Sequence, residues 1–278
     1  MVDTHPERMN VWLDNHQPPE LPTIPGVTFA GCCWPAGGHD AVGGTVLPGG
    51  DFYDVFPNGS GATFALGDVC GKGAVAAALS GRVRQSLNAL RLVERRPLRL
   101  LELLNQALLA SPDEADRSHF TTIMVGALTP AGDGMRVAIA GGGHPAPLVA
   151  RATGGVAPIR VGGMPIGAFP DAVYQEIHLR LAPGDVLVLY SDGIPEARGG
   201  PGQPDLFGEE RLREVLRSGA GLPADAVVNR LRHAVGEWLG GNPRDDITLL
   251  AIAVPTASNK PDGPLAGRHR IRRSARTA

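Results

Sequence analysis

Short apolar stretches alternate with turn-forming residues along most of the chain, and seven of them predict β-strands. Each stretch is rich in β-branched or other apolar residues and is bounded by Gly, Pro or Asp, as strands usually are. The predicted strands are Val27–Trp34, Thr63–Val69, Phe120–Leu128, Arg136–Ala140, Val173–Leu181, Val186–Tyr190 and Ile247–Val254.

Four other stretches repeat apolar residues every three or four positions, which is the period of an amphipathic helix. Pro97 is well placed to begin the second of them. Because helices and strands cluster along the chain instead of strictly alternating, the pattern predicts an α+β fold with mainly antiparallel sheets. The predicted helices are Ala74–Val93, Leu98–Leu109, Glu209–Arg217 and Ala224–Leu239.

The composition predicts a folded body between two polar ends. The chain has 278 residues and 43% hydrophobic content, which is enough for a large core. Residues 257–278 hold six basic residues and one acid, so this segment carries +5 and the rest of the chain about −7. We predict a polar, proline-rich lead-in at 1–23, a folded domain at 24–256 and a disordered basic tail at 257–278.

Charge and cysteine usage narrow the possible classes of function. An acidic body disfavours nucleic-acid binding and suits a site that collects divalent cations. No stretch has the features of a signal peptide or the length of a membrane span, so we expect a cytoplasmic protein without membrane contact. The three cysteines, Cys32, Cys33 and Cys70, lack the spacing of a zinc site.

Acidic residues stand beside glycines at four places where predicted strands begin or end. Asp51 and Asp54 lie in GGDFYD, Asp68 closes a strand before Gly71, Asp192 precedes Gly193, and Asp245-Asp246 opens the last strand. A single Asp-Gly pair usually marks only a turn. Four such places can converge on one site, and carboxylate oxygens suit Mg²⁺ or Mn²⁺. The stretch from Gly67 to Gly73 is not a P-loop, since three residues instead of four separate Gly67 from Gly71-Lys72.

Seven motifs give the chain a resemblance to the SpoIIE-like (RsbU-type) branch of the protein phosphatase 2C superfamily, from about Ile24 to Val254. They occur in the family's order, with Cys70 where the family normally has Ser. The motifs are GGDFYDVF (residues 49–56), GDVCGKGAVAAAL (67–79), FTTIMVGAL (120–128), GHPAPL (143–148), GDVLVLYSDGIPEAR (184–198), FGEERL (207–212) and DDITLL (245–250).

The resemblance implies a four-layer αββα sandwich with a centre of two Mn²⁺ or Mg²⁺ ions at one end. Asp68 would bridge both ions, the Val69 carbonyl would bind one of them, and Asp51, Asp192 and Asp245 would supply the other carboxylates. Asp54 and Asp246 would support these ligands without binding an ion, with Asp246 as the alternative ligand to Asp245. A bridging hydroxide would attack the phosphorus, so the resemblance makes Asp68 and Asp192 catalytic and requires no protein nucleophile.

Two further residues each have two alternative predicted roles. Lys72 either contacts the phosphate as a point charge or is a solvated lysine at a helix start. His144 either protonates the leaving serine oxygen or is a structural residue of its turn. Two departures from the family pattern leave the ligands in place: Gly43–Pro48 looks like an insertion, and Gly141-Gly142 replaces the usual Asn-Ala.

The resemblance therefore predicts a metal-dependent protein serine/threonine phosphatase. Its implied substrate is a phosphorylated STAS-domain anti-sigma-factor antagonist, and dephosphorylation would release a sigma factor by partner switching. The sequence leaves open whether the protein forms a homodimer. One alternative is a catalytically weak scaffold that binds regulators, although the complete set of acids counts against it. The other is a hydrolase of a small phosphoester, which no feature of the sequence excludes.

Overall fold

A computed structural model describes residues 19–36, 49–71, 73–111, 119–200 and 205–256. Four predicted features lie outside the described residues: most of the lead-in, the insertion at 43–48, Lys72 and the basic tail at 257–278. The strands are β1 (Thr28–Trp34), β2 (Phe52–Asn58), β3 (Gly61–Val69), β4 (Thr121–Ala131), β5 (Gly134–Gly142), β6 (Leu148–Ala150), β7 (Val156–Pro158), β8 (Gln175–Leu181), β9 (Val186–Tyr190) and β10 (Ile247–Ala253). The helices are α1 (Gly73–Leu90), α2 (Pro97–Leu109), α3 (Gly208–Arg217) and α4 (Ala224–Leu239).

Two five-stranded antiparallel sheets pack face to face between two pairs of helices. One sheet has the order β1-β10-β9-β6-β7 and the other the order β2-β3-β4-β5-β8. Side chains such as Phe64 and Ile252 fill the core between the sheets. Val83 and Leu104 pack α1 and α2 onto the second sheet, and Leu231 packs α4 onto the first. The predicted αββα sandwich is confirmed.

The sequence analysis did not predict three of the strands, and each omission has a local reason. The stretch that forms β2 contains Asp54 and Pro57, which are unusual in strands. Because β2 is an edge strand that pairs only with β3, Pro57 can lack its N–H there. Strands β6 and β7 have three residues each, which is too short for an alternating pattern to show. Helix α1 ends at Leu90, three residues before its predicted end.

The strand register brings the acidic motifs to one end of the sandwich. Phe52 pairs with Gly67, so the residue before β2, Asp51, lies beside Asp68 near the end of β3. In the other sheet Leu249 pairs with Tyr190, so the residues that precede β10 lie beside those that follow β9. In the described part of the chain, no helix is long and apolar enough to cross a membrane.

Candidate metal centre

A cleft of about 730 Å³ opens where these strand ends meet. Six of the predicted site residues line it, four of them acids from both sheets, and neither Lys nor Arg appears among the described lining residues. The cleft is therefore acidic, and an anionic phosphate would meet no basic side chain from the described part of the chain there. The lining residues are Ala36, Gly49, Asp68, Val69, Cys70, Gly71, Gly73, Phe120, Thr122, Gly143, His144, Pro145, Asp192, Asp245 and Asp246.

Gly49 and Gly50 allow the first motif to approach the acids of both sheets. A Cβ atom on Gly50 would overlap the Val69 carbonyl oxygen and lie 2.8 Å from Asp68 Oδ1. A Cβ atom on Gly49 would overlap the Asp246 carboxylate. Any larger residue at either position would displace these oxygens, so both positions require glycine for steric reasons. It lets the backbone before Asp51 pass between the two sheets' acids.

Asp51 lies behind the cleft, between the two sheets. Its Oδ2 atom is buried and finds no hydrogen-bond partner among the described residues. Burial, followed by the neighbouring charge of Asp68, raises the pKa of Asp51 well above its usual range, and the nearby hydroxyl groups of Ser191 and Thr248 oppose this shift only in part. A buried carboxylate oxygen without a partner is rare, and a bound cation would satisfy it.

The other acids of the cleft also raise one another's pKa. Burial and then the charge of Asp192 raise the pKa of Asp68 to about 7. Burial and the charge of Asp245 raise the pKa of Asp192 above its ordinary value. Mutual repulsion of this kind makes the ionised cluster unfavourable until a cation offsets it. The chemistry of these donors therefore fits hard divalent ions.

The carboxylates line the cleft, but their side chains are spread apart. Within the described ranges, no three Asp, Glu, His or Cys side chains stand close enough together to hold an ion. Asp246 Oδ1 accepts a hydrogen bond from the backbone N–H of Ala36 at 2.9 Å, and Asp245 Oδ1 accepts one from the N–H of Asp246 at 3.1 Å. Asp246 thus contacts the chain just beyond β1. Its charge acts on Asp51 and Asp68, and the charge of Asp245 acts on Asp68 and Asp192, so both acids belong to the cluster.

Asp54 lies away from the cleft, although it shares a motif with Asp51. Side chains alternate along a strand, so Asp51 and Tyr53 point between the sheets while Asp54 points toward the helices. There Asp54 is 4% exposed and forms an ion pair with Arg84 of α1 at 2.7 Å. Its carboxylate supports the contact between α1 and β2 and does not line the cleft. The predicted role of Lys72 lies outside the described residues.

His144 lines the cleft, but both of its ring nitrogens are engaged. Nε2 lies 3.2 Å from the Tyr190 carbonyl oxygen, which only accepts, so Nε2 carries the proton. Nδ1 then accepts a hydrogen bond from the Thr122 hydroxyl at 2.9 Å. Burial lowers the pKa of His144 to about 4, which keeps the ring neutral at pH 7. This arrangement favours the structural hypothesis for His144 over proton donation.

Sequence reasoning did not find the hydroxyl groups that support the acids. Ser191 Oγ accepts a hydrogen bond from the backbone N–H of Thr248 at 2.9 Å, which joins β9 to β10 beside Asp51. Thr122 reaches across from β4 to His144. The available signal was position: Ser191 directly precedes Asp192, and Thr248 follows Asp245-Asp246 by two residues.

Curated relatives resemble the chain over parts of larger proteins. Protein IcfG of Synechocystis sp. is 24% identical over 230 residues, which cover 73% of this chain and 35% of that protein. The phosphoserine phosphatase RsbU of Bacillus subtilis is 27% identical over 207 residues, which cover 73% of this chain and 58% of RsbU. The chain thus spans about a third to somewhat over half the length of these relatives.

Solved structures share the fold. The structure of the RsbU and RsbW domains of Rv1364c from Mycobacterium tuberculosis superposes with a TM-score of 0.66 at 25% identity, over 84% of this chain and 63% of that one. The catalytic domain of the serine/threonine phosphatase PstP, in complex with two manganese ions, superposes with a TM-score of 0.56 at 19% identity, over 82% of this chain and 98% of that one. At that identity the second comparison concerns the fold alone.

The family comparison covers most of the folded body. The model of the Stage II sporulation protein E (SpoIIE) family matches residues 58–255, which is well over half of the chain. The match spans the segments that carry Asp68, Asp192 and Asp245 and six of the seven motifs, whereas the first motif, at 49–56, lies just before it. The chain belongs to the SpoIIE family.

Proposed function

We propose that the cleft binds two divalent cations, Mn²⁺ or Mg²⁺, and hydrolyses phosphoserine and phosphothreonine in proteins. The observation that carries the proposal is the meeting of four acids from both sheets around one cleft, with the unpartnered Asp51 Oδ2 buried behind it among the described residues. The two manganese ions in the PstP complex, which shares the fold, support the number of ions and their charge.

The ligands in this proposal are Asp51, Asp68, Asp192 and Asp245, with the carbonyl oxygen of Val69. Carboxylate and carbonyl oxygens are the donors that hard divalent ions prefer. Gly50 packs against Asp68 Oδ1 and the Val69 carbonyl oxygen, so a larger residue there would displace both proposed ligands. When bound, a pair of such ions would supply an activated water and offset the charge of the phosphoryl group.

The other residues hold these ligands in place. Ser191 accepts a hydrogen bond from the Thr248 N–H and donates one to the Asp246 carbonyl oxygen at 3.4 Å, which ties together the strand ends beside Asp51. Neutral His144 contacts both Thr122 of β4 and Tyr190 at the end of β9, so it joins the two sheets close to Asp192. The described lining residues include no Lys or Arg, so in this proposal the cations are the principal charges that attract the phosphate.

For the protein substrate, we propose a serine-phosphorylated STAS-domain antagonist of an anti-sigma factor. The support is indirect: one relative is a phosphoserine phosphatase, and the Rv1364c structure joins an RsbU domain to an RsbW domain. Dephosphorylation of such an antagonist would act through partner switching.

Three assays test the proposal. Hydrolysis of p-nitrophenyl phosphate with Mn²⁺, Mg²⁺ or EDTA tests the chemistry, and isothermal titration of the metal-free protein with Mn²⁺ tests the number of ions. We expect two ions per chain and no turnover in EDTA. Loss of phosphate from a serine-phosphorylated STAS-domain protein, followed on a phosphate-affinity gel, tests the substrate. Turnover in metal-free buffer, or titration without binding, would contradict the mechanism.

A further inference from the structure

One of four exposed large apolar side chains lines the cleft, and the other three lie on a segment that packs against the cleft-lining Gly143. Phe120 is 39% exposed, Met164 36%, Phe169 47% and Val173 68%. All except Phe120 belong to one connecting segment, residues 163–174, which we call the arm. We call these four side chains the apolar rim. Apolar side chains gathered on a surface in this way commonly mark a binding site.

The arm has a fixed backbone. The Met164 N–H donates to the Val173 carbonyl at 3.2 Å, and a bridge between Gly163 and Tyr174 closes the base of the arm. Ile166 and Thr121 exchange two backbone hydrogen bonds, at 2.9 and 3.0 Å, which attach the middle of the arm to the start of β4. The exposed side chains are therefore carried by backbone that is hydrogen-bonded on both sides.

A buried amide on α2 secures the tip of the arm. Asn105 is 3% exposed, its Oδ1 accepts the Gly167 N–H at 2.8 Å, and its Nδ2 donates to the Phe169 carbonyl at 2.9 Å. One side chain thus satisfies two backbone groups of the arm on either side of Ala168. With its backbone held inward in this way, the arm presents Phe169 and Val173 outward in a fixed arrangement.

The apolar rim is continuous with the cleft. Phe120 lines the cleft and is also part of the rim. On the other side, a Cβ atom on Gly143 would lie 2.9 Å from the Pro165 ring, so the arm packs against the loop that carries His144. The apolar rim thus borders one edge of the cleft, where it can meet a polypeptide that places a phosphorylated side chain there.

We propose that the apolar rim docks the polypeptide that flanks the phosphorylated residue of a protein substrate. The inference rests on the proposed function and deepens it, because it assigns a surface to the polypeptide as well as a cleft to the phosphate. The arm carries a single charged residue, Asp171, and interface cores are likewise rich in aromatic residues and Met and poor in charge. A second copy of the chain fits this surface less well, since an occupant that covered Phe120 permanently would also close the cleft.

The test compares a rim variant with a matched control. Val173→Glu places a charge in the rim, and Val93→Glu places one at a residue that is 84% exposed, beyond the far end of α1. Helix α1 has 18 residues and begins at the cleft-lining Gly73, so the control lies roughly 27 Å or more away along the helix. Each protein is assayed with Mn²⁺ on p-nitrophenyl phosphate and on phosphorylated β-casein.

We expect Val173→Glu to lower kcat/KM for phosphorylated β-casein about tenfold, mainly through KM. Both variants should hydrolyse p-nitrophenyl phosphate within about twofold of wild type, since neither touches the cleft acids. Equal casein kinetics for the two variants would overturn the inference while leaving the proposed function intact. A halved molar mass of Val173→Glu in light scattering, with unchanged casein kinetics, would assign the rim to a second copy and also overturn it. A wild-type protein inactive on both substrates would refute the proposed function instead.

Discussion

Arg84 of α1 donates two hydrogen bonds to the Asp54 carboxylate of β2, from Nε to Oδ2 at 2.7 Å and from Nη2 to Oδ1 at 2.9 Å. The side chains are 17% and 6% exposed, so this two-pronged ion pair is largely shielded from water. It attaches the helix that begins at the cleft to the strand that follows Asp51. The pair therefore sets how α1 sits over the second sheet.

Breaking this pair should destabilise the fold without removing a metal ligand. We expect Asp54→Leu and Arg84→Met each to lower the free energy of unfolding by about 3 kcal/mol, because each removes the opposite charge to which a largely buried side chain is hydrogen-bonded. The double variant should lose clearly less than the sum of the two. Urea denaturation of all four proteins measures this coupling. Strictly additive losses would show that the two residues act independently, and a loss of Mn²⁺ binding in Asp54→Leu would return Asp54 to the metal centre.

Asp68→Asn and Asp192→Asn should each lower turnover of p-nitrophenyl phosphate at least about a thousandfold, because each removes a proposed ligand of the cations that the chemistry needs. Asp133→Asn, whose side chain is 72% exposed in a turn, is the matched control and should keep wild-type rates. Near wild-type activity of either cleft variant with saturating Mn²⁺ would refute the ligand assignment.

In metal-free buffer, the same Asp68→Asn change should stabilise the protein. Burial and neighbouring acids raise the pKa of Asp68 to about 7, so at pH 8 its ionised form disfavours the folded state. A neutral amide removes this penalty, and we expect a gain of about 1 kcal/mol in the free energy of unfolding. Urea denaturation in EDTA at pH 8 measures it. A clear loss of stability would indicate that Asp68 has a structural role in its turn.

Mn²⁺ should stabilise the folded wild type, because ions that bind only the folded chain shift the unfolding equilibrium. At about a hundred times the dissociation constant, one site contributes about 2.7 kcal/mol. Thermal unfolding with increasing Mn²⁺ should therefore show a rising midpoint for wild type and for Asp133→Asn, and a much smaller rise for Asp68→Asn. A midpoint that rises equally in all three proteins would place the ions elsewhere.

The sequence predicts most of the fold because hydrophobic periodicity reports burial directly. Strand β9 and helix α4 have their predicted bounds, since each is a clean apolar pattern between Gly, Pro or Asp residues. Strand β2 does not show this pattern, because Asp54 is buried only by virtue of Arg84, thirty positions away. A partner so distant in sequence leaves no local trace.

The same limit applies to the candidate site. The acids at strand ends could be found in the sequence, since Asp beside Gly marks where strands stop. Which acids face the cleft depends on strand parity and register: Asp51 points between the sheets, whereas Asp54, three residues later, points to the helices. The role of His144 depends on Thr122 and Tyr190, which belong to different sheets. Only the assembled sandwich brings these groups together.

His144 should give the folded state a specific sensitivity to acid. Its pKa is lowered to about 4 by burial, against an ordinary value near 6.5, so the unfolded chain takes up the proton first. The stability that neutral His144 contributes is therefore complete above about pH 6.5 and is lost as the pH falls toward 4, by about 3 kcal/mol. His144→Asn should be less stable at pH 7, because it disturbs two buried hydrogen bonds, but the difference from wild type should shrink through this window. Urea denaturation from pH 7 to pH 4 measures the two curves, with His178→Asn, whose ring is 64% exposed, as the control that should follow wild type. Parallel curves for wild type and His144→Asn would show that His144 is not held neutral between the sheets.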